Sequence, residues 1–523
     1  MTVNKLKMPN DIRPDETFIK FPTEGKLFSE AISSDFGDFV RESVNFYQRH
    51  PEIEAMILAD QRAAALSGKH ERARRENDQL LECMSFEWFE DCDLAGCSLE
   101  LCVGRPRMKP LVVLVLLMLR GRIGGPCSQR ARELLVESRS LEEALRPWTD
   151  ALPAPTTILE NLNLLSQQTV DRIQLLELQE AKEEDLDNFD RIAIDSTAVE
   201  ASSCWPTDSK TIRDLCRRFF SVESKLETFG FKKASSVKCE SWLKQLDGLH
   251  KAISMSGAGK GAPEKRRKRY REFFLVACKL ITRLLERYKT ASHWLECADL
   301  KPLSRERAAA VVHFLGEDIF DASKTLQQSF ERIEEGRMPK ARERVLGVAD
   351  RAAAIIAKGG REPIIGYKPQ LARSASGLVT AIIVESGNPA DSANLVPMVR
   401  ETIRTTGVVP SQVSADDGYA SADGLGTTKD LGVEEVSISG AKGRRLLDQE
   451  WDLPSMQELR SWRSSVESLM FVLKHGYRFG QLGRRGLDAV HRELTEKVLA
   501  YNLDRLILLR KRNQKAQPPP KAA

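Results

Sequence analysis

The chain has 523 residues, of which 41% are hydrophobic and 29% are charged, and this length allows two to four domains of an ordinary soluble protein. Its ten cysteines are too few in so long a chain for a disulfide scaffold. The net charge of +4 sums 79 basic and 75 acidic residues, so local patches are more informative than the total. The longest apolar run, Leu111 to Leu119, is too short to cross a bilayer and predicts a buried helix. Because the first residues contain no apolar signal segment, we expect a cytoplasmic protein with no membrane partner.

The first two predicted regions are helical. Residues 1–83 are polar and mixed, which predicts an N-terminal arm or helical extension. In residues 84–185, helical periodicity is interrupted by turn signals, so several short helices are expected. Arg105 and Arg107 lie at one of these turns, and basic residues beside short helices suit a DNA-reading module. A plain helical domain with a solvated basic face explains the same pattern equally well.

The stretch RIAIDSTAVE, residues 191–200, predicts a short buried strand that runs directly into an aspartate. Burial of an isolated carboxylate is costly, so Asp195 must be paired, hydrogen-bonded or bound to a metal. Trp205 follows in the segment CWPTDS and is a candidate to stack on a splayed base. An aromatic side chain that anchors the loop to the core is the more common alternative.

A long helical block, residues 216–361, comes next and contains the segment EKRRKRYR. Six positive charges in eight residues repel one another unless an anion offsets them, and the DNA phosphate backbone is a suitable anion. An exposed, solvated loop is the alternative. The candidate DNA-binding residues of this segment are Lys265, Arg266, Arg267, Lys268 and Arg269.

From residue 362 to about 480 the periodicity becomes strand-like. The segments IIGYKPQLA and GLVTAIIVE predict a hairpin, and a helix follows with Asp391 or Ser392 as its N-cap. A strand at SQVSAD, a helix near 421–431, a strand at EEVSIS and a long helix near 455–474 complete the series. Together with the strand described above, this order predicts a mixed α/β sheet with helices packed on it.

Two aspartates stand at matching positions in this predicted sheet. Asp195 lies at the end of the first strand, and Asp416 lies at the end of SQVSAD. If the two strands are neighbours, the carboxylates meet at one edge of the sheet, where open α/β sheets place their sites. Two close carboxylates repel unless a cation lies between them, and a hard divalent cation such as Mg²⁺ fits that demand.

A third metal ligand is expected from the last helix of this series, and Glu450, Glu458 and Glu467 are the candidates. Only Glu467 shares a helical stripe with two basic residues, Arg463 and Lys474, beside an apolar stripe that would pack on the sheet. An Arg–Glu surface pair four residues apart is common in any helix. The two aspartates outweigh that explanation and favour Glu467 as the third ligand.

The segments IDSTAVEASSCWPTDSKTIRDL, GNPADSANLVPMV, VSADDGYAS and RSSVESLMFVLKHGYRFGQLGRRGL occur in this order. Together they resemble the DDE transposases of bacterial insertion sequences, particularly the ISNCY-type branch, and the resemblance covers residues 84 to about 509. It implies a ribonuclease H-like mixed-sheet catalytic core that is interrupted by a large all-helical insertion and preceded by an all-helical DNA-binding region. The implied ranges are 84–185 for DNA binding, 186–215 and 362–480 for the core, 216–361 for the insertion, and 481–523 for a C-terminal helix and basic tail.

Carried over by position, the resemblance implies that Asp195, Asp416 and Glu467 form a catalytic, metal-binding triad. They would hold two Mg²⁺ ions per site, with Mn²⁺ as a substitute, while Arg463 and Lys474 would grip DNA phosphates. The assignment selects Asp416 rather than its neighbour in the DDGY turn. A tyrosine that the pattern expects three residues before Arg463 is replaced here by arginine.

The implied activity is that of a DNA transposase that binds the terminal inverted repeats of its own element. It would cleave and transfer DNA strands in the bacterial nucleoid, as a homodimer or larger assembly on double-stranded repeat and target DNA. Two alternatives remain open. The first is a catalytically silent DNA-binding protein derived from a transposase, and the second is a ribonuclease H-like nuclease without strand transfer.

Overall fold

The structure is a computed structural model that describes most of the chain from residue 35 to residue 516. The described residues are 35–67, 107–123, 153–202, 207–256, 261–338, 350–357 and 362–516, with a few positions between 143 and 149 and between 344 and 348. The candidate residues Arg105 and Trp205 lie outside them. None of the described helices is long and apolar enough to cross a membrane.

Five helices precede the first strand in the described part of the chain. They are α1 (Phe36–Arg49), α2 (Pro51–Ser67), α3 (Pro110–Ile123), α4 (Pro155–Leu164) and α5 (Gln167–Glu183). Helix α3 carries the apolar run, and each side chain from Leu111 to Leu119 is buried. The prediction of a buried helix there is confirmed, because apolar residues all round a helix require cover on every side.

Four further helices pack around a core of their own. They are α6 (Asp208–Glu223), α7 (Val237–Ser254), α8 (Ala262–Cys297) and α9 (Pro302–Glu334). Phe219, Phe273 and Leu280 are fully buried in this core, which also holds an ion pair between Arg287 and Glu223 at 2.6 Å. The EKRRKRYR segment forms the first turns of α8, so the alternative of a loop is wrong, although most of the segment is exposed.

The strands form two sheets. They are β1 (Arg191–Ser196), β2 (Val199–Glu200), β3 (Ala354–Ile356), β4 (Ile364–Tyr367), β5 (Gln370–Ser374), β6 (Val379–Ile383), β7 (Gln412–Ala415) and β8 (Glu435–Ile438). The five-stranded sheet has the order β6-β5-β1-β7-β8, in which β1, β7 and β8 are parallel and β5 and β6 are antiparallel neighbours. The three-stranded sheet has the order β2-β4-β3.

The predicted hairpin is present as β5 and β6, but its first segment is divided between the two sheets. In IIGYKPQLA, β4 ends before Lys368 and Pro369, and β5 begins after them. Strand β4 instead pairs with β2 and β3. A glycine permits this pairing, because a Cβ at Gly366 would come within 1.8 Å of the carbonyl oxygen of Val199.

Helices cover both faces of the five-stranded sheet. They are α10 (Leu395–Thr406), α11 (Ala422–Asp430), α12 (Gly440–Leu447), α13 (Pro454–Gly476) and α14 (Leu487–Ala516). Ile192 and Ile194 of β1 share a core with α10, whereas Ala193 between them shares a core with α13 and α14. Successive side chains of a strand point to opposite faces, so this alternation fixes which face each later residue of β1 presents.

The N-cap prediction for α10 is wrong. Asn394 is the N-cap residue, and Asp391 lies in a preceding 3-10 turn, Asp391–Ala393. The carboxylate of Asp391 instead accepts hydrogen bonds from Lys368 and Gln370. The carboxylate that the local pattern assigned to the helix therefore bonds to a charged side chain on the connection between β4 and β5.

Helix α14 returns to the N-terminal helices and joins them through ion pairs. Arg510 contacts Glu180 at 2.7 Å and Glu42 at 2.6 Å, and Arg49 contacts the same Glu180 at 2.5 Å. Burial alone would raise the pKa of Glu180, but hydrogen bonds from His50 and from these arginines lower it to about 2. Arg510, which the resemblance places in the C-terminal helix and basic tail, therefore joins α14 to the N-terminal helices.

Candidate active site

The two aspartates follow neighbouring parallel strands in the same register. Ile194 of β1 lies opposite Ala415 of β7, so the next residues, Asp195 and Asp416, lie side by side. Alternation along each strand places both aspartates on the face that α13 covers, since Ile194 and Ala415 belong to the core on the α10 side. The sheet thus places two aspartates that are 221 positions apart in the sequence at the ends of adjacent strands, in the register that also pairs Arg191 with Gln412.

Helix α13 supplies an arginine and a glutamate to this edge of the sheet. Nη1 of Arg463 lies 3.6 Å from Oδ2 of Asp195, and Nη2 of Arg463 lies 3.1 Å from Oε1 of Glu467. The Asp195 side chain is only 12% exposed, whereas that of Glu467 is 63% exposed. Arg463 therefore bridges a buried carboxylate on the sheet and a solvated one on the helix.

The other glutamates proposed from the sequence are occupied elsewhere. Glu450 pairs with Lys429 at 3.0 Å, and Glu458 pairs with Arg191 at 3.1 Å. Of the three candidates, Glu467 is the one that shares a cation with Asp195.

The two aspartates of the DDGY turn have different hydrogen-bond partners. Oδ1 of Asp416 accepts a hydrogen bond from the backbone N–H of Asp417 at 2.8 Å. The Asp417 carboxylate faces away and accepts from the backbone N–H groups of Lys442 and Gly443, at 2.7 and 3.2 Å. Those groups belong to the first turn of α12, where unpaired N–H groups and the helix dipole favour a negative charge.

A polar network that the sequence did not reveal lies directly behind Asp195. Ser196 bonds to Asp391, which also accepts from Lys368 at 2.8 Å and from Gln370 at 3.0 Å. Gln370 accepts in turn from the Tyr419 hydroxyl. Burial would raise the pKa of Asp391, but these bonds lower it below its ordinary value, so the carboxylate is held as an anion. The network fixes the end of β1 and thereby the backbone that carries Asp195.

The donor set suits a hard divalent cation by its chemistry. Asp195, Asp416 and Glu467 offer carboxylate oxygens, which Mg²⁺ and Mn²⁺ prefer. Within the described ranges, no three acidic, histidine or cysteine side chains lie close enough together to hold a metal ion. The positive charge between Asp195 and Glu467 is supplied here by Arg463, so the bond from Arg463 to Glu467 has to open before both acids can serve one cation.

The basic segment of α8 is largely engaged with the protein. Its three central arginines donate to neighbouring acceptors, and only its two lysines extend into solvent without a described bond. The arginine bonds run from Arg266 to the Ser256 carbonyl at 2.7 Å, from Arg267 to Glu334 at 3.1 Å and from Arg269 to the Ser256 hydroxyl at 2.7 Å. Lys265 and Lys268 are exposed, as are Arg266, Arg267 and Arg271, and the two lysines are the exposed cations of the segment that have no described bond to the protein.

Two further candidates are described. Arg107 is exposed just before α3, away from the sheet. Lys474 is half-buried in the last two turns of α13, and its side chain lies next to Gly480. Arg460, at the position where the resemblance expects a tyrosine, stacks its guanidinium over the ring of Trp451 at 3.9 Å.

Comparison with known families gives a match that covers about a third of the chain. Residues 339–503 match the family model of the transposase DDE domain. The matched region contains Asp416, Arg463 and Glu467 but begins after Asp195. No curated protein and no solved structure matches the chain.

The match supports a DDE transposase, and the mixed sheet with helices on both faces is compatible with the ribonuclease H-like domain of that class.

Proposed function

We propose that the chain is the transposase of a bacterial insertion sequence. It binds the terminal inverted repeats of its element and catalyses metal-dependent DNA strand cleavage and strand transfer. The observation that carries the proposal is the meeting of Asp195 and Asp416 at one edge of the sheet, with Arg463 joining Asp195 to Glu467. The family match to residues 339–503 supports the same reaction class.

In this proposal Asp195, Asp416 and Glu467 hold two Mg²⁺ ions, with Mn²⁺ as a substitute. Ions bound there would stabilise charge on the attacking and leaving oxygens of an in-line displacement at phosphorus. Asp416 is preferred to Asp417, because the Asp417 carboxylate caps α12. The exposed Glu467 side chain can turn on its helix, whereas Asp195 is fixed by the sheet.

The basic residues of α13 hold the DNA. A guanidinium grips two phosphate oxygens at once, so a DNA phosphate competes with Asp195 and Glu467 for Arg463. When the phosphate takes the arginine, both carboxylates lose their cation and become available for divalent ions. Lys474, about three turns beyond Arg463 on the same helix, binds a neighbouring phosphate as a point charge. DNA binding thus frees the carboxylates of the site for divalent ions.

Two displacements at phosphorus give the products. In the first, water attacks the phosphate at the element's end, the P–O bond to the 3′ oxygen breaks, and a 3′-hydroxyl is released. In the second, that hydroxyl attacks a target phosphate and one target strand is cut as the new bond forms. Two ends must be joined to one target, so we propose a homodimer or larger assembly on DNA.

The other regions would supply further DNA contacts. We assign the helices before β1, with Arg107, to recognition of the inverted repeats. Helices α6–α9, with Lys265 and Lys268 exposed on α8, would form an insertion that contacts flanking DNA or joins subunits. This insertion lies between β2 and β3, which are both paired with β4.

The proposal is tested with a donor plasmid in which a resistance marker lies between the DNA segments that flank this protein's gene. With Mg²⁺ and a target plasmid, the parent protein should cut at the flanks and join the marker to the target. Asp195→Asn and Glu467→Gln should each abolish cleavage, on the order of a thousandfold, while binding to the flanking DNA persists. Glu458→Gln is the matched control, because it removes an exposed carboxylate from the same helix and should cleave as the parent does.

The outcomes separate the alternatives. Cleavage without joining would assign a nuclease that lacks strand transfer. Flanking DNA that is bound but never cut by the parent would assign a catalytically silent derivative. One observation favours this second candidate, since Glu467 is bonded to Arg463 and no three-carboxylate cluster exists among the described residues. If Asp195→Asn cuts as well as the parent, the proposed site is wrong.

A further inference from the structure

A cavity of about 460 Å³ lies where the N-terminal helices meet the C-terminal helix, away from Asp195 and Asp416. It is bounded by α3, α4, α14 and the loop at residues 483–486. Helices α3 and α14 touch there, because a Cβ at Gly121 would come within 2.0 Å of the carbonyl oxygen of Glu496. A cavity of this size accommodates a phosphate group together with the sugar attached to it.

The wall of the cavity is strongly basic. Five basic side chains and two carboxylates line it. The basic residues are Arg120, Arg484, Arg485, Arg492 and Lys497. This leaves an excess of three positive charges around a partly enclosed space, and such an excess attracts anions.

Both carboxylates are already committed to part of this charge. Glu496 accepts from Arg120 at 2.6 Å and from Arg484 at 3.0 Å. Glu493 accepts from Lys497 at 2.9 Å and from the backbone N–H of Gly483. The two carboxylates therefore neutralise charge at the base of the cavity, and the positive charge of the arginines at its rim is not neutralised by them.

Arg120 forms the floor and is incompletely satisfied. Its side chain is 6% exposed, and its Nε and Nη1 have no hydrogen-bond partner among the described residues. Burial lowers the pKa of Arg120 to about 10, and the charge of Arg484 opposes the stabilising effect of Glu496. A buried donor without a partner costs about 1 to 3 kcal/mol, so a site with such donors is suited to an added acceptor.

Within the described part of the chain, the two rim arginines donate hydrogen bonds to backbone carbonyls. Arg485 donates to the carbonyl of Ser202 at 2.8 Å, and Arg492 donates to the carbonyl of Asn163 at 3.4 Å. Nε of Arg492 has no hydrogen-bond partner within the described part of the chain. Neutral carbonyls hold a guanidinium less tightly than an anion does, so both side chains can turn to a bound phosphate.

The cavity is tied to the strand that carries Asp195. The N–H of Leu482 bonds to the carbonyl of Glu200, and Arg485 bonds to Ser202. Seven residues of extended chain separate Asp195 from Ser202 and span at most about 23 Å. That distance corresponds to about seven nucleotides of one DNA strand.

We propose that this cavity is a phosphate-binding pocket that holds one backbone phosphate of the DNA strand, within about seven nucleotides of the one entering the active site. The proposal rests on the proposed function for the presence of DNA. Arg120 is the buried donor at the base of the pocket, and Arg485 and Arg492 close over the phosphate from the rim. The pocket fixes the strand between the N-terminal helices and the catalytic sheet.

The first experiment measures the salt dependence of DNA binding by the full chain. A fluorescein-labelled duplex of the DNA that flanks the gene is titrated by fluorescence anisotropy over a range of KCl concentrations without divalent ions. The double variant Arg485→Gln/Arg492→Gln should reduce the slope of log affinity against log salt by about 0.9, the value for one neutralised phosphate. The control Lys182→Gln/Arg404→Gln removes two exposed charges on α5 and α10 and should keep the parental slope.

The second experiment distinguishes DNA from a free anion. The thermal midpoint of the parent and of the double variant is measured in sodium phosphate and in sodium chloride of equal ionic strength. For a DNA-backbone pocket, phosphate should raise the midpoint of the parent but not of the variant, and the salt slope should fall as stated. If phosphate stabilises the parent and the slope is unchanged, the occupant is a free phosphate and the assignment to DNA is overturned.

Failure of this inference is distinct from failure of the proposed function. If the parent binds DNA with a steep salt slope that the double variant retains, the pocket proposal is wrong and the function stands. If the parent does not bind the flanking DNA at any salt concentration, the proposed function is wrong.

The variants leave Arg120 and Glu496 in place, and circular dichroism at low salt checks that they fold as the parent does. A charge-reversed Arg492→Glu variant should weaken DNA binding further than the double variant and gives a second test.

Discussion

Replacement of Arg463 by glutamine should move metal affinity and DNA affinity in opposite directions. The guanidinium lies 3.6 Å from a carboxylate oxygen of Asp195 and 3.1 Å from one of Glu467. In the resting protein it is therefore the cation with which a divalent ion must compete. In the proposed DNA complex the same group would bind phosphate instead.

The size of each effect follows from these distances. With the screening of bulk water, each ion pair is worth about 1 kcal/mol, and measured pairs near the surface give about 0 to 1 kcal/mol. Glu467 is mostly exposed, so we take about 1 kcal/mol for the two ion pairs together, which corresponds to about fivefold tighter Mn²⁺ binding in the variant. Loss of a charge-assisted phosphate bond costs about 1.5 to 3 kcal/mol, which is roughly tenfold to a hundredfold in DNA affinity.

The assay pairs Mn²⁺ calorimetry on the DNA-free protein with DNA anisotropy in the absence of metal. Arg460→Gln is the control for the first arm, because Arg460 lies on the same helix but stacks on Trp451. It should leave Mn²⁺ affinity unchanged. If Arg463→Gln weakens Mn²⁺ binding, the arginine orients the carboxylates instead of competing for them, and the reasoning is refuted.

Three other expectations can be measured separately. Neutralising Lys265 and Lys268 should reduce the salt slope of DNA binding by about 0.9 for each phosphate that is no longer neutralised, and an unchanged slope in anisotropy would leave them as solvated surface residues. Glu180→Gln should lower the free energy of unfolding by up to about 3 kcal/mol at neutral pH, because the folded-state pKa of about 2 lies below the ordinary 4.5. A depressed pKa stabilises the fold above pH 4.5, and this contribution is lost as the pH falls from 4.5 towards 2. Urea unfolding of parent and variant should therefore converge in acid, and a difference independent of pH would contradict the assignment. Gly366→Ala should cost about 1 to 3 kcal/mol in a thermal melt, because its Cβ meets the carbonyl of Val199; an unchanged midpoint would show that β2 and β4 separate freely.

The order of elements after residue 362 was predictable because each has a local signal. The alternation in SQVSAD marks β7 and places Asp416 at its end, and Ser421 caps α11 where the sequence expects a helix start. Apolar residues at helical spacing likewise predict α13 and the face on which it packs. Such patterns lie within a single helix or strand, so they can be recognised without knowledge of the fold.

Contacts between distant segments were not predictable in the same way. The Asp391 prediction was wrong because its partner Lys368 lies on the connection between two strands in different sheets. The division of IIGYKPQLA between those sheets depends on β2, far earlier in the chain. The choice of Glu467 needed the two distant aspartates, because the spacing of Arg463 and Glu467 alone is that of an ordinary surface pair.

The central position of β1 has a consequence for synthesis on the ribosome. This strand needs β5 on one side and β7 on the other, so it does not have both partners until Ala415 has emerged. At about 5 to 20 residues per second, translation of residues 197–415 takes roughly 10 to 45 seconds. Helices α6–α9 have their own core and can fold during that interval, before the strand that carries Asp195 is paired on both sides. A prematurely terminated chain would therefore carry folded helices without the assembled edge that holds Asp195 and Asp416, so the proposed DNA cleavage would be confined to nearly complete chains.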